Sequence, residues 1–98
     1  MTRTVYIRES ARRDLLSIQD WYNYSRGGLG DVFAEAFYAR VGLIADRPEL
    51  FAVISANIHA TTLSRFPYII FYCADSTTLD IIAVLHSSRD PDTWRLRI

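Results

Sequence analysis

Arg65, Arg89 and His86 are the residues of this chain whose types and spacing could do chemistry. Arg65 stands just ahead of a long apolar run, Tyr68 to Ala74, and Arg89 follows a second one, Leu79 to His86. If the two runs are neighbouring antiparallel strands, both arginines fall at one end of a sheet. Two guanidinium forks facing one cleft would suit a phosphate, a carboxylate or an acidic partner segment. Equally, Arg65 could pair with Asp90 or Asp92 and simply hold the C-terminal tail down. His86 lies three residues before Arg89, and histidine is the side chain best suited to exchanging protons near neutrality. With Asp90 to orient it and a nucleophile at hand it could serve as acid or base. Ser87 and Ser88 read as turn residues, so a strand-end histidine bonded to backbone is the simpler account.

Other constellations fail on context. His59, His86 and the scattered carboxylates lack ligand spacing, and no cysteine pair is present, so no metal and no cofactor are expected. Gly27, Gly28 and Gly30 precede a helical pattern without following a strand, which removes the dinucleotide-binding fingerprint. Trp21, Tyr22 and Tyr24 could stack bases, but they close an amphipathic helix, where aromatics usually serve as core and rim.

The elements that must position these residues are legible in order. Thr4 to Ile7 is a short β-prone start suited to a sheet edge. Ser10 offers an N-cap, and Ala11, Leu15, Ile18 and Tyr22 follow as one apolar stripe of a helix ending near Tyr24. After the stop at Gly27-Gly28, the residues Leu29, Val32, Phe33, Ala36, Phe37, Val41 and Ile44 make a second stripe, closed by Pro48. Asn57 to Leu63 is the weakest later strand. Tyr68 to Ala74 is apolar on both faces and belongs at the centre of a sheet, with Pro67 at its first residue. Asp75 to Thr78 turns the chain into a last strand, in which Leu79, Ile81, Ala83 and Leu85 alternate with Asp80, Ile82, Val84 and His86. The tail is either flexible or a short helix capped by Asp90 with Pro91 at its first position. The order predicts an α+β fold, β-α-α-β-β-β, with a helical hairpin on one face of a small twisted sheet whose last three strands form an antiparallel meander.

Ninety-eight residues suffice for one domain with a single modest core. Eleven acidic residues balance eleven basic ones, which argues against binding nucleic acid through the overall field. All the basic residues are arginines, so no lysine can act as a base. Cys73 is unpaired within the central run and reads as core in a reducing compartment. Without an apolar leader or a membrane-length run, the chain reads as soluble and cytoplasmic.

The pieces in sequence resemble a known family. They are Leu15-x-x-Ile18-x-x-Trp21-Tyr22, Leu29-Gly30-x-x-Phe33, Ile44 and Pro48, Arg65-Phe66-Pro67-Tyr68-x-Ile70-x-Tyr72, and Ile82-x-Val84-Leu85-His86-x-x-Arg89-Asp90-Pro91-x-x-Trp94. Together they are similar to the RelE/ParE superfamily of toxins from bacterial type II toxin-antitoxin systems, over nearly the whole chain. The resemblance implies two helices packed on a twisted antiparallel sheet and neutralisation by a cognate, ParD-like antitoxin. Within the superfamily, RelE-like members cleave messenger RNA on the ribosome, whereas ParE-like members poison DNA gyrase. A nuclease would rest on Arg65, His86 and Arg89. The chain departs from that pattern in having no lysine, no tyrosine after Tyr72 and no net charge. The ParE-like comparison therefore fits better and implies a non-catalytic gyrase inhibitor, with Arg89, Trp94, Arg95 and Arg97 facing the target. By the same resemblance Trp21, Tyr22, Phe33, Phe37 and Arg65 are expected to meet the antitoxin. A toxin fold kept only as an inactive binding module is the third possibility.

Overall fold

The computed structural model describes residues 2–90 and 92–97. The described elements are β1 (Thr4–Ile7), α1 (Glu9–Ser25), α2 (Leu29–Asp46), a 3-10 turn (Pro48–Leu50), β2 (Val53–Ser55), β3 (Ile58–Thr62), β4 (Tyr68–Ala74), β5 (Thr78–His86) and a second 3-10 turn (Thr93–Arg97). They form an α+β fold with one sheet in the order β1-β5-β4-β3-β2. The apolar run of β4 lies at the centre, as its composition requires. β1 joins at the edge, parallel to β5, while the other pairs are antiparallel. The meander carries an additional strand, β2, whose three residues are too short and exposed to show a pattern in the sequence. Among the described residues no helix is long and apolar enough to cross a membrane.

Both helices bury the expected stripes. Ala11, Leu15, Ile18 and Tyr22 of α1, and Phe33, Phe37, Val41 and Ile44 of α2, share a core with Ile70, Tyr72, Leu79, Ile81 and Val84 from the sheet. Val32, by contrast, points outward from α2. Ser10 is not the N-cap. The helix opens at Glu9, and Arg8 at the cap position makes no side-chain cap bond. The Arg8 guanidinium instead grips Asp80 of β5 through contacts of 2.7–3.1 Å, so tertiary pairing sets the turn from β1 into α1. Gly28 takes a φ of +88° between the helices, a conformation glycine adopts without strain. Gly30 lets α2 approach α1. Its N–H donates to Asn23 Oδ1 at 2.8 Å, and a Cβ there would run into the Gln19 carbonyl.

The alternation expected for β5 is broken. Phe71 stands opposite Ala83 and Tyr72 opposite Ile81, which leaves Ile82 as an extra residue, a β-bulge. The bulge flips the side-chain phase. Leu79, Ile81 and Val84 face the helices, while Ile82, Ala83 and Leu85 join Ile58, Phe71 and Trp94 in a second core on the opposite face. The tail covers that opposite face as a short 3-10 turn, with Trp94 stacked on Phe71 at 6.0 Å between centroids. Asp90 makes the turn leading into it rather than the cap itself, accepting the Asp92 amide on Oδ1 at 2.9 Å and the Thr93 amide on its carbonyl at 3.0 Å. The role foreseen for Pro91 lies outside the described residues.

Candidate functional site

β4 begins and β5 ends at the same end of the sheet, with Tyr68 opposite His86. Arg65 and Arg89 flank this pair in sequence, yet they line no cavity in common among those of the described residues. Arg65 lies exposed in a tight turn with φ +69° and lines a cavity of about 300 Å³ beside α2, together with Ala36, Arg40 and Leu43. Its companion there is Arg40, whose guanidinium also sits 5.2 Å over the Phe51 ring. Arg40 was foreseen in no motif. Its signal in the sequence is its spacing of three and four residues from Phe37 and Ala36, on the flank of the apolar stripe.

No carboxylate lies within 4 Å of Arg65 among the described residues, so the expected tie to Asp90 or Asp92 is not made. Asp90 makes the turn into the tail, and Asp92 pairs with Arg95 at 3.0 Å. Backbone at a positive φ is strained for a residue with a Cβ, and such strain concentrates at functional positions.

Arg89 is exposed and has no carboxylate within 4 Å among the described residues. It stands between two cavities. One, of about 380 Å³, has an apolar floor that includes Ile69, Phe71, Leu85 and Trp94, with Arg89 and Arg95 on its rim. The other, of about 330 Å³, lies between α1 and the end of β5 and is lined by Arg13, Asp14, Ser17, Tyr68, His86 and Arg89.

His86 is held locally, and not by Asp90. Its Nδ1 accepts the Ser88 amide at 3.0 Å and lies 2.7 Å from the Ser88 hydroxyl. A backbone amide can only donate, so Nδ1 carries the lone pair and the ring proton sits on Nε2. The imidazole meets the Tyr68 ring edge-on at 5.2 Å, and burial pushes the Tyr68 hydroxyl above its ordinary pKa. A histidine donor, a tyrosine and two arginines thus share one cavity, without a carboxylate free to serve as base. Asp14, the carboxylate in that cavity, is fully engaged with Arg97 and with the Val84 amide.

Two of the residues expected to face a target are turned inward. Trp94, expected to face the target, is 3% exposed and anchors the tail in the free chain. Arg97 donates to both Asp14 oxygens at 2.9 Å while its own carbonyl accepts from Arg8 at 2.8 Å. The hydrogen bond to Asp14 raises the Arg97 pKa further. Arg95 remains exposed, its guanidinium 4.7 Å over the Trp94 ring. On the helices the same holds. Tyr22, Phe33 and Phe37 are buried at 9%, 1% and 0% exposure, the first two in an aromatic cluster with Phe66 and Tyr68, so none of the three offers an exposed anchor in the free chain. Trp21 alone of the four is exposed, at 60%. Cys73 is half-buried with its Sγ 3.9 Å from Asp80, and burial first, then the Asp80 charge, raises its pKa. Among the described residues no three of His, Cys, Asp and Glu converge as a metal site would require.

These features define a small domain of two helices on one sheet, with the tail docked on the opposite face and Arg65 and Arg89 exposed at one end. Residues 5–91 match the family described as the ParE toxin of the type II toxin-antitoxin system, parDE, and the chain belongs to that family. Its fold is similar to a chain of the chromosomal ParDE toxin-antitoxin system from P. aeruginosa, with a TM-score of 0.72 and 17% identity over 87% of this chain and 96% of that one. Among curated proteins no sequence matches this chain.

Proposed function

We propose that this toxin acts by binding DNA gyrase and that a cognate antitoxin neutralises it by direct contact. Membership of the ParE family supports the target class. The observation that carries the mode of action is the placement of Arg89 and Arg95 on the rim of the apolar-floored 380 Å³ cavity. An apolar floor with two guanidinium groups on a rim shared with Asp90 and Asp92 suits a protein partner, where arginines and desolvated apolar contacts supply most of the binding energy. Arg65 and Trp21, both exposed, are the contacts left for the antitoxin from the expected set.

One observation favours a second reading. Tyr68, His86, Arg89 and Arg13 line one cavity, and RNA cleavage needs phosphate neutralisation with an acid and a base near it. The deciding experiment is a gyrase supercoiling assay with purified toxin, run beside a ribosome-dependent messenger cleavage assay on the same preparation. Inhibited supercoiling with intact messenger, lost in a folded Arg89→Ala variant, supports gyrase binding. Cut messenger with unaffected gyrase refutes it and makes His86 and Arg89 part of a nuclease site.

A further inference from the structure

Arg40 and Arg65 come together without an acid between them. Both line the cavity of about 300 Å³ between α2 and the turn joining β3 to β4, beside Ala36 and Ala39, whose side chains stop at Cβ and leave the room to the two arginines. Arg40 is half-buried, and among the described residues its guanidinium has no carboxylate within 4 Å and no hydrogen-bond acceptor; what it touches is the Phe51 ring. The nearest carboxylates along α2, Glu35 and Asp46, are exposed and pair with neither arginine. A cation partly withdrawn from water without an anion is unfavourable. Arg65 is set by its backbone. The Leu63 N–H donates to the Tyr68 carbonyl at 3.1 Å, the Tyr68 N–H donates to the Phe66 carbonyl at 2.9 Å, and Phe66 is buried, which closes a tight loop around Arg65 at φ +69°. The strain of carrying a Cβ there points to a use for the guanidinium.

A second cavity, of about 370 Å³, is also lined by Arg40. It exists because β2 is short. β2 pairs with β3 at Ile58 and His59, one further bond runs from the Ala60 amide to the Ala52 carbonyl at 3.1 Å, and Thr61 and Thr62 are left with no strand on their outer side. Phe51, Ala60 and Ile69 supply the apolar surface of this cavity. Arg40 therefore joins a cationic compartment to an apolar one, the combination of charge and apolar lining that a small ligand needs.

We propose that Arg40 and Arg65 form a binding site for a nucleoside phosphate, with the phosphate between the two guanidinium forks and the base against the apolar compartment around Phe51 and Ile69. Guanidinium donors match phosphate oxygens in pairs, and a base offers a flat face that apolar and aromatic side chains cover. Inorganic phosphate would use the cationic compartment alone, whereas a nucleoside phosphate uses both. The zero net charge of the whole chain favours a small ligand over a nucleic-acid backbone, whose attraction depends on the wider field. The site is independent of the target reading and shares Arg65 with the antitoxin contact proposed above.

The test is titration of the whole chain with inorganic phosphate, adenosine and ADP, read by NMR. ADP shifts the side-chain Nε–H signals of Arg40 and Arg65 and the Thr62 amide, and binds at least tenfold tighter than either phosphate or adenosine. Arg65→Gly and Arg40→Gln, each shown to be folded by its amide spectrum, weaken ADP at least tenfold, while Arg12→Gln on the exposed side of α1 leaves its affinity unchanged. Equal affinity for phosphate and ADP, or an equal loss in Arg12→Gln, overturns the two-compartment site. A DNA oligonucleotide that shifts these signals where ADP does not also overturns it, and makes the arginines a contact for nucleic-acid backbone. So does the absence of any shift at either arginine at millimolar ADP.

Discussion

Removing the Arg97 guanidinium tests how the tail is held. Arg97 and Asp14 have side chains only 21% and 15% exposed, and they meet through two parallel contacts of 2.9 Å. A hydrogen bond between charged groups contributes about 1.5–3 kcal/mol, and breaking a fully buried pair from one side costs about 3–5. Partial exposure moves this pair to the lower range, so Arg97→Ala should cost about 2 kcal/mol and lower the melting temperature by roughly 10 °C in a domain of this size. Asp14→Ala should cost more, by about 1 kcal/mol, because the Val84 amide at 3.0 Å also loses its acceptor. Asp14→Asn keeps an acceptor for Val84 and should recover most of that difference. Urea unfolding of the two alanine variants and their combination gives the coupling directly, with about 1.5–2 kcal/mol expected. An Arg97→Ala protein that melts within 1 °C of the parent, or a cycle that is simply additive, would refute the latch.

Three further outcomes follow from local geometry. Asp75 accepts the Thr77 and Thr78 amides at 2.8 and 2.7 Å, and these bonds hold its pKa at about 2. A depressed folded pKa adds stability above the ordinary carboxylate range and loses it as pH falls towards 2, so Asp75→Asn should flatten the acid limb of a stability-against-pH curve between about 4 and 2. Gly30→Ala places a Cβ against the Gln19 carbonyl and the Asn23 side chain, so it should destabilise by about 2 kcal/mol or more in urea titration; an unchanged midpoint would mean the helices can separate freely. At Arg65, with φ +69°, glycine should match or exceed the parent's stability, whereas Arg65→Val should fall below Arg65→Gly by about 1–2 kcal/mol.

The elements were legible because their signals are local. The stripe Ala11, Leu15, Ile18, Tyr22 needs only helical spacing, and the run Tyr68–Ala74 needs only its composition to declare a central strand. What misled was non-local. The bulge at Ile82 depends on how β5 meets β4, and no window of β5 alone reveals that the alternation changes phase. The start of α1 is set by Arg8 reaching Asp80, 72 residues away, so the local capping signal at Ser10 pointed two residues too far. The surroundings of the candidate site residues were the least legible for the same reason. Arg65 and Arg89 do share an end of the sheet, but the side chains diverge to different cavities, and an aromatic such as Phe33 reads alike whether it anchors a partner or fills a core.

The tail shows what this divergence means for recognition. From sequence, Arg89, Arg95 and Arg97 read as one charged patch that, with Trp94, is expected to face the target. In the fold they divide by role, because a short C-terminal segment crossing an open sheet face must first be fastened. Trp94 does this through Phe71 and the second core, and Arg97 through Asp14. Arg95 is ordered by stacking on Trp94 and by its pair with Asp92, which restricts its rotamers before any partner arrives. Fastening Trp94 therefore preorganises Arg95, and preorganised side chains lose less entropy on binding. Loosening the tail through Arg97→Ala should for that reason weaken binding to the proposed target by freeing Arg95, while leaving the Arg65 side of the molecule, on the flank beside α2, unaffected.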